Sequence, residues 1–416
     1  MAGEWREVTL GEITENFDGR RVPVKEADRR RGSYPYYGAS GIVDYVDDYL
    51  FDGEYLLIAE DGENLRTRAT PVAFLARGKF WVNNHAHIVR GNGRSDTRFL
   101  MYALAVADIG GYLTGSAMPK LTQGHMNRIE LSIPERTEQR AIAHILGMLD
   151  DRIEANRRMA ATLEEMARAL FRSWFVTFDP VRAKAEGRWR PGQTLPGLPA
   201  SLYDAFPDRL VETEHGQIPK GCKSGSIYDV ANVIYGAPFA SERFNTEGRG
   251  VPLIRIRDLK SEAPGVWTDE RHPKGYLVQP GDIVVGMDGE FRAYVWGSDP
   301  AWLNQRVCVF QPKAGCSAAQ VRNLIVDPLA FIEATQVGTT VIHLGKKDID
   351  NFKITVPAPK ISEHFGRLAQ PWYDKLVSIK LASRTLGNIR DLLLPKLVSG
   401  AIRVKDAEAF LKARGL

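Results

Sequence analysis

The strongest constraint on this 416-residue chain is that it repeats itself. Tyr55-Leu-Leu-Ile-Ala-Glu-Asp-Gly-Glu63 returns as Asp282-Ile-Val-Val-Gly-Met-Asp-Gly-Glu290. Both are short apolar runs that end in Asp-Gly, the pattern of a buried strand running into a tight turn. Phe80-Trp-Val-Asn-Asn84 returns as Ala301-Trp-Leu-Asn-Gln305, Thr114-Gly-Ser116 as Val337-Gly-Thr339, and Ser132-Ile-Pro134 as Thr355-Val-Pro357. Trp5 to Ile13 has a looser echo in Cys222 to Val230. From Gly115 onward the separation stays at 223 residues without a gap (338 minus 115, 357 minus 134). Motifs in one order at a nearly constant offset mean one globular unit made twice, each followed by a long helix.

The helices follow from periodicity. After Thr137, apolar positions fall at Ile142, Leu146, Leu149, Ile153, Ala160, Leu163, Ala167, Leu170 and Trp174, with Asn156 on the same seam. The spacing alternates four and three, the heptad pattern of a coiled coil, and a polar seam residue such as Asn156 can fix register. Adding 223 gives Phe365, Ala369, Trp372, Leu376, Ile379, Ser383, Leu386, Arg390, Leu393 and Leu397, where Ser383 and Arg390 weaken the stripe. Pro371 suits a helix start or kink, and Pro395 a last turn. Each helix covers about 35 residues, roughly 50 Å at 1.5 Å per residue. Two such stripes bury most simply against each other, antiparallel, with the globular units at opposite ends of a rod. The expected order is a first domain over 1–136, a helix over 137–178, a Pro/Gly-rich connection over 179–213, a second domain over 214–358, a second helix over 359–400 and a tail over 401–416. The class is α/β (α+β). The connection carries Trp189, Leu195, Leu198 and Phe206 and is expected to be loop draped over a surface.

Composition narrows the function. Lys plus Arg number 55 against 51 Asp plus Glu, a net charge of +4, which is too small to define a partner. No apolar run approaches the ~18–20 residues that span a bilayer, and the amino terminus has no apolar signal core. Three cysteines, Cys222, Cys308 and Cys316, are few for the length and point to a reducing, intracellular compartment. Catalytic patterns are missing. Gly216 to Ser224 resembles a phosphate loop, but Cys222 separates the second Gly from the Lys and Pro219 removes a backbone donor. His85-Ala-His87 has no partner pair for a zinc set. There is no Gly-x-Ser-x-Gly, no Gly-x-Gly-x-x-Gly after a strand and no Asn-Pro-Pro-aromatic signature. Glu60-Asp61-Gly62-Glu63 lacks a following Glu-x-Lys pattern and reads as turn chemistry. The chain reads as a binding protein without catalytic or metal residues.

Two similar units on a spacer suit a ligand with two separated sites, and DNA presents successive major-groove faces every ~34 Å. Arg20, Arg21, Lys25, Arg29, Arg30 and Arg31 precede Tyr34-Pro-Tyr36-Tyr37, a mixture suited to phosphate anchoring beside base contact. Arg255 and Arg257 alternate as on one strand face, and Arg66 and Arg68 do the same. Asn83, Asn84, Asn304 and Gln305 are of the type that pairs with adenine, and equally of the type that forms turns. Ser116, Lys120, Arg292, Thr339 and His343 complete the candidate DNA contacts. The candidate seam is Leu149, Ile153, Asn156, Leu163, Leu170, Leu376, Ile379, Leu386 and Leu393.

Further motifs identify a family. Ile133-Pro134 is followed by Glu138-Gln139-Arg140-Ala-Ile142-Ala-His-Ile-Leu146 and Leu149-Asp-Asp-Arg-Ile153. Leu163-Glu164 leads to Ala169-Leu-Phe-Arg-Ser-Trp-Phe-Val176 and Phe178-Asp-Pro-Val181; then come Gly216-Gln-Ile-Pro-Lys-Gly221 and Leu392-Leu-Leu-Pro-Lys-Leu-Val-Ser-Gly400. Over essentially its whole length the chain resembles the specificity subunit of type I restriction–modification systems. Two departures stand out: Cys222 where the family usually opens its second domain with Trp, and Ser362-Glu-His364 where the first helix has Glu138-Gln-Arg140. The resemblance implies two target recognition domains, each reading half of a bipartite, asymmetric site in double-stranded DNA, and an antiparallel helix pair that sets the spacing. It implies two modification subunits that methylate adenine and restriction subunits that translocate and cleave. S-adenosylmethionine, ATP and Mg are then expected on those partners and none on this chain, in the cytoplasm and away from membranes. Two other readings stay open: an adaptor that reads no sequence, and the specificity subunit of a modification-only methyltransferase. A stand-alone nuclease or methyltransferase would need a carboxylate cluster not seen here.

Overall fold

A computed structural model describes residues 5–214, 216–335 and 342–416. The chain divides into two compact units: Met1–Ile153 with Leu386–Leu416, and Glu154–Thr385.

Unit 1 is built on a six-stranded sheet in the order Thr14–Asn16, Ala86–Gly91, Phe51–Ala59, Ala73–Val82, Arg31–Gly38, Gly41–Val46. Its pairs are antiparallel except Arg31–Gly38 against Ala73–Val82, where Tyr36 lies beside Trp81 and Tyr37 beside Val82. Tyr55 to Ala59 is buried throughout because helix Thr97–Val106 covers one face of this strand and aromatic residues cover the other. Asp96 caps that helix by accepting the Arg98 and Phe99 N–H groups, two of the donors a helix start leaves without intrahelical partners. Leu56, Ile58, Phe99 and Leu100 form one core with Ile142, Leu146, Leu149 and Ile153 and with Leu386, Ile389, Leu393 and Leu397.

Unit 2 repeats the plan with shorter strands. Val307–Pro312 lies between Ala231–Tyr235 and Ile283–Gly286, with Ala293–Val295 at the edge. A parallel pair recurs, with Leu253 beside Trp302 and Ile254 beside Leu303. Helix Ala318–Thr335 takes the place of Thr97–Val106, and the strand pair Lys223–Ser226 with Lys353–Val356 that of Arg6–Thr9 with Glu130–Ile133.

The long helices are Arg136–Phe175 and Pro359–Val398, 40 residues each. The second runs through Pro371, so that proline neither starts nor ends it, and it stops three residues past Pro395. Within unit 1, Asp150 bonds Arg390 at 2.8 Å, while Glu138, earlier in the first helix, bonds Arg403, just past the second. Within unit 2, Asn156 Nδ2 donates to Ser383 Oγ at 3.1 Å, and Phe175 packs its ring 5.1 Å from that of Phe365. Rising numbers on one helix meet falling numbers on the other, so the helices pair antiparallel in each unit. Of the seam positions, Leu149, Ile153, Leu376, Ile379, Leu386 and Leu393 are buried, and Leu163, Leu170 and Asn156 half-buried. The two polar interruptions Asn156 and Ser383 satisfy each other. Arg390 is likewise partnered: Asp150 takes it at 2.8 Å and accepts the buried Tyr102 hydroxyl at 2.6 Å.

The connection expected as loop is partly helical. Asp179–Ala185 forms a short helix, with Pro180 in its first turn where no N–H bond is lost. Trp189, Leu198, Leu202 and Phe206 are buried in the unit 2 core, and Trp174 meets Phe206 edge-on at 4.8 Å. Lys184 ties the segment down by donating to the Tyr203 and Phe206 carbonyls.

Candidate nucleic-acid interface

The same polar rim is built once in each unit. In unit 1, strand Phe51–Ala59 ends at the Asp61-Gly62 turn, where Gly62 takes φ +108°, a conformation that favours glycine. Three backbone bonds fix what surrounds that turn. Glu60 N–H donates to His85 O at 2.9 Å, Gly62 N–H to Pro119 O at 3.1 Å, and Leu121 N–H to Glu60 O at 2.8 Å. In unit 2, Met287 N–H donates to Arg306 O at 2.8 Å, Gly289 N–H to Ile342 O at 3.1 Å, and Leu344 N–H to Met287 O at 2.7 Å. Asp61 therefore corresponds to Asp288, His85 to Arg306, and Lys120 to His343, the last pair 223 residues apart (343 minus 120). The amides match too. Asn83 N–H donates to Tyr37 O and Asn304 N–H to Ile254 O, each residue following the end of a parallel-paired strand.

Carboxylates organise both rims. Asp61 Oδ2 lies 2.8 Å from His85 Nδ1, and Glu60 holds Lys120 at 3.3 Å and Arg21 at 2.7 Å. Burial alone would raise the Glu60 carboxyl; the Arg21 bond, the His87 ring and Lys120 outweigh it and hold the group below its ordinary range. In unit 2, Asp288 Oδ1 lies 2.6 Å from His343 Nδ1 and 3.6 Å from an Arg306 guanidinium nitrogen. His87 is buried beneath the unit 1 rim, with Nδ1 2.6 Å from Asp18 and Nε2 donating to Leu121 O at 2.7 Å. It is a framework group. Among the described residues, no cluster of three His, Cys, Asp or Glu side chains is placed to hold a metal.

The sequence candidates fall into distinct sets. Asn83, Asn84, Arg66, Ser116 and Lys120 come together around Asp61 and His85, with Arg66 donating to the Gly115 and Ser116 carbonyls. Asn83 Oδ1 accepts the His85 N–H and Asn304 Oδ1 the Gln305 N–H, so both asparagines form turns, while Asn84 and Gln305 stay exposed. Arg20, Arg30 and Arg31 are exposed on and after the segment that leads into strand Arg31–Gly38. Tyr37 is half-buried under Asn83. Thr339 lies outside the described residues.

Five assignments change. Tyr36 is fully buried, its hydroxyl bonded to Val24 and its ring under Arg29 at 4.5 Å, so it supports the basic segment from beneath and offers nothing to DNA. Arg21 is spent on Asp18, Glu60 and the Ala86 carbonyl. Arg66 and Arg68 share no strand face: Asn64–Thr67 is a helical turn, Arg68 takes the left-handed φ of +51°, and its guanidinium closes on the Ala105 and Ala107 carbonyls. Arg255 and Arg257 also part, because strand Val251–Ile254 ends before them. Arg255 turns back to Asp258, which caps the turn and leaves Arg257 exposed. Arg292 is held by Glu333 at 2.5 and 3.1 Å. Asp61, His85, Asp288 and Arg306 were not among the candidates. Their signal was the repeat, which places Arg306 opposite His85.

Two copies of one α/β domain, each with an exposed rim of cationic and amide side chains and each followed by a long helix, define a class of duplicated-domain binding protein. The chain matches the type I restriction modification DNA specificity domain twice, over residues 2–165 and 219–366, about three quarters of its length, and belongs to that family. It is 24% identical to the type I restriction enzyme HindI specificity subunit of Haemophilus influenzae, over 96% of this chain and all of the relative. It is 23% identical to the MjaIX specificity subunit of Methanocaldococcus jannaschii, over 97% of each. The crystal structure of a type I restriction-modification S subunit from M. genitalium shares the fold at a TM-score of 0.58 and 15% identity, over 95% of this chain and 96% of that one. Among the described residues no helix is long and apolar enough to cross a membrane.

Proposed function

We propose that this chain is the non-catalytic, sequence-reading subunit of a type I restriction–modification complex. Unit 1 reads one half of a bipartite, asymmetric site in double-stranded DNA and unit 2 the other. The paired helices set the unread gap between the halves. Two modification subunits bind S-adenosylmethionine and methylate adenine at the site so addressed. Restriction subunits, with ATP and Mg, translocate and cleave. The cytoplasm is the compartment where such a complex meets DNA.

The observation that carries this reading is the duplicated rim. Cations and amides occupy matched positions on two units, and they differ in identity between the copies. One binding surface used twice suits a ligand that presents similar grooves twice, and different side chains on it suit two different sequences. Base methylation requires the adenine to leave the stack, which is work for partner subunits that close around the duplex. The test is genome-wide adenine methylation in cells carrying the modification subunit with and without this chain. One bipartite motif with a fixed gap, lost without the chain, supports the reading. Methylation indifferent to the chain contradicts it.

A further inference from the structure

Resting on that reading, we infer that Arg306 with His343 in unit 2, and His85 with Lys120 in unit 1, are base-edge readers whose change of identity between equivalent positions makes the two half-sites differ. The equivalence is fixed by the three backbone bonds around each Asp-Gly turn. Both positions present a cation or an imidazole in either unit, and in both units a less exposed carboxylate holds it. Arg306 and His343 have side chains 57% and 45% exposed above Asp288 at 28%; His85 and Lys120 are 50% and 51% exposed above Asp61 at 24% and Glu60 at 14%. An exposed donor steered by a carboxylate beneath it has already given up part of its rotamer freedom, which lowers the entropy lost on binding.

The backbone adds an independent sign. Arg306 takes φ +70°, whereas His85 is not in the left-handed region. Left-handed backbone is unfavourable for a residue with a Cβ, and such strain collects at functional positions. Glycine would fit that turn without strain, yet the chain places there the side chain that pairs bidentately with guanine O6 and N7. Unit 2 therefore reads a guanine through Arg306. Unit 1, with an imidazole whose Nδ1 faces Asp61, makes at most a single bond at the equivalent base.

The competing role for an exposed arginine is phosphate anchoring, which weakens binding alike on every sequence when it is lost. The experiment uses the full chain assembled with its modification subunit on a panel of duplexes, each carrying one substitution across both half-sites. The wild-type complex tests the bipartite reading itself, and the variants test this inference. Arg306→Gly relieves the positive φ, so its thermal midpoint should equal or exceed that of the wild type. Its discrimination should fall about 5–150-fold at a single base pair of one half-site, the 1–3 kcal/mol of one bidentate pair, with the other half-site and the gap unchanged. Arg306→His, which installs the unit 1 residue, should relax the same base pair. Equal loss across the panel, or unchanged discrimination at every base pair, would overturn the inference.

Discussion

Replacing Asp150 by Ala removes a first-helix carboxylate that bonds both the first domain and the second long helix within unit 1. Asp150 accepts the Tyr102 hydroxyl at 2.6 Å and bonds Arg390 at 2.8 Å. Tyr102 is only 5% exposed, so without its acceptor the hydroxyl is stranded, at about 1–3 kcal/mol. Arg390 keeps Asp391 at 2.7 Å, and both partners of the lost ion pair are about a third exposed, so that part is screened to under about 1 kcal/mol. The expected destabilisation of unit 1 is about 2–3 kcal/mol, a fall of roughly 5–10 °C for a unit of this size. Calorimetry resolves it, and hydrogen exchange should localise it to Arg136–Ile153 and Leu386–Val398. In a Tyr102→Phe background the stranded hydroxyl is gone, and Asp150→Ala should then matter by less than about 1 kcal/mol. An undiminished effect in that background would refute the assignment of the hydroxyl as the main term.

Three further outcomes are expected. A double-mutant cycle on Asn156→Ala and Ser383→Ala should give a coupling of about 0.5–1.5 kcal/mol, the value of one neutral hydrogen bond; additive single effects would mean that the seam pair contributes nothing. Burial raises the Asp18 carboxyl, but the His87 ring, the Ile88 N–H and Arg21 together hold it below its ordinary 3.8. Its stabilisation is therefore present above that value and lost as pH falls through the lower folded value, so the gap in thermal midpoint between wild type and Asp18→Asn should be full at pH 7 and close on acidification below it. Burial pushes the Cys308 thiol up to about 12, and iodoacetamide at pH 8 should leave it unlabelled in the folded chain while labelling it in denaturant.

Periodic features were legible in the sequence. The repeat predicted two copies of one strand-and-turn framework, and the four-three spacing predicted the helix pair, because both arise from local patterns that tertiary context rarely overrides. The seam shows where such reading stops. Asn156, Ser383 and Arg390 look like separate defects along the chain, and only the antiparallel register reveals that two of them partner each other and the third partners Asp150. Alternation misled at Arg66 and Arg68 and at Arg255 and Arg257, because two cations spaced by two residues fit a strand face and a turn equally well. Asp258, three residues after Arg255, is what decides that case. Tyr36 and Arg21 look like binding residues because aromatic and cationic types serve cores and interfaces alike; the Val24 backbone and Glu60 claim them, at distances the sequence does not display.

The most direct test of the account lengthens the spacer and leaves both rims untouched. One heptad inserted in each long helix, flanking the Asn156–Ser383 pair, keeps the seam in phase and adds about 10.5 Å, near three base pairs of B-form DNA. Genome-wide adenine methylation with this variant should show the same two half-sites with the gap between them longer by about three base pairs. An altered half-site across an unchanged gap would contradict the account.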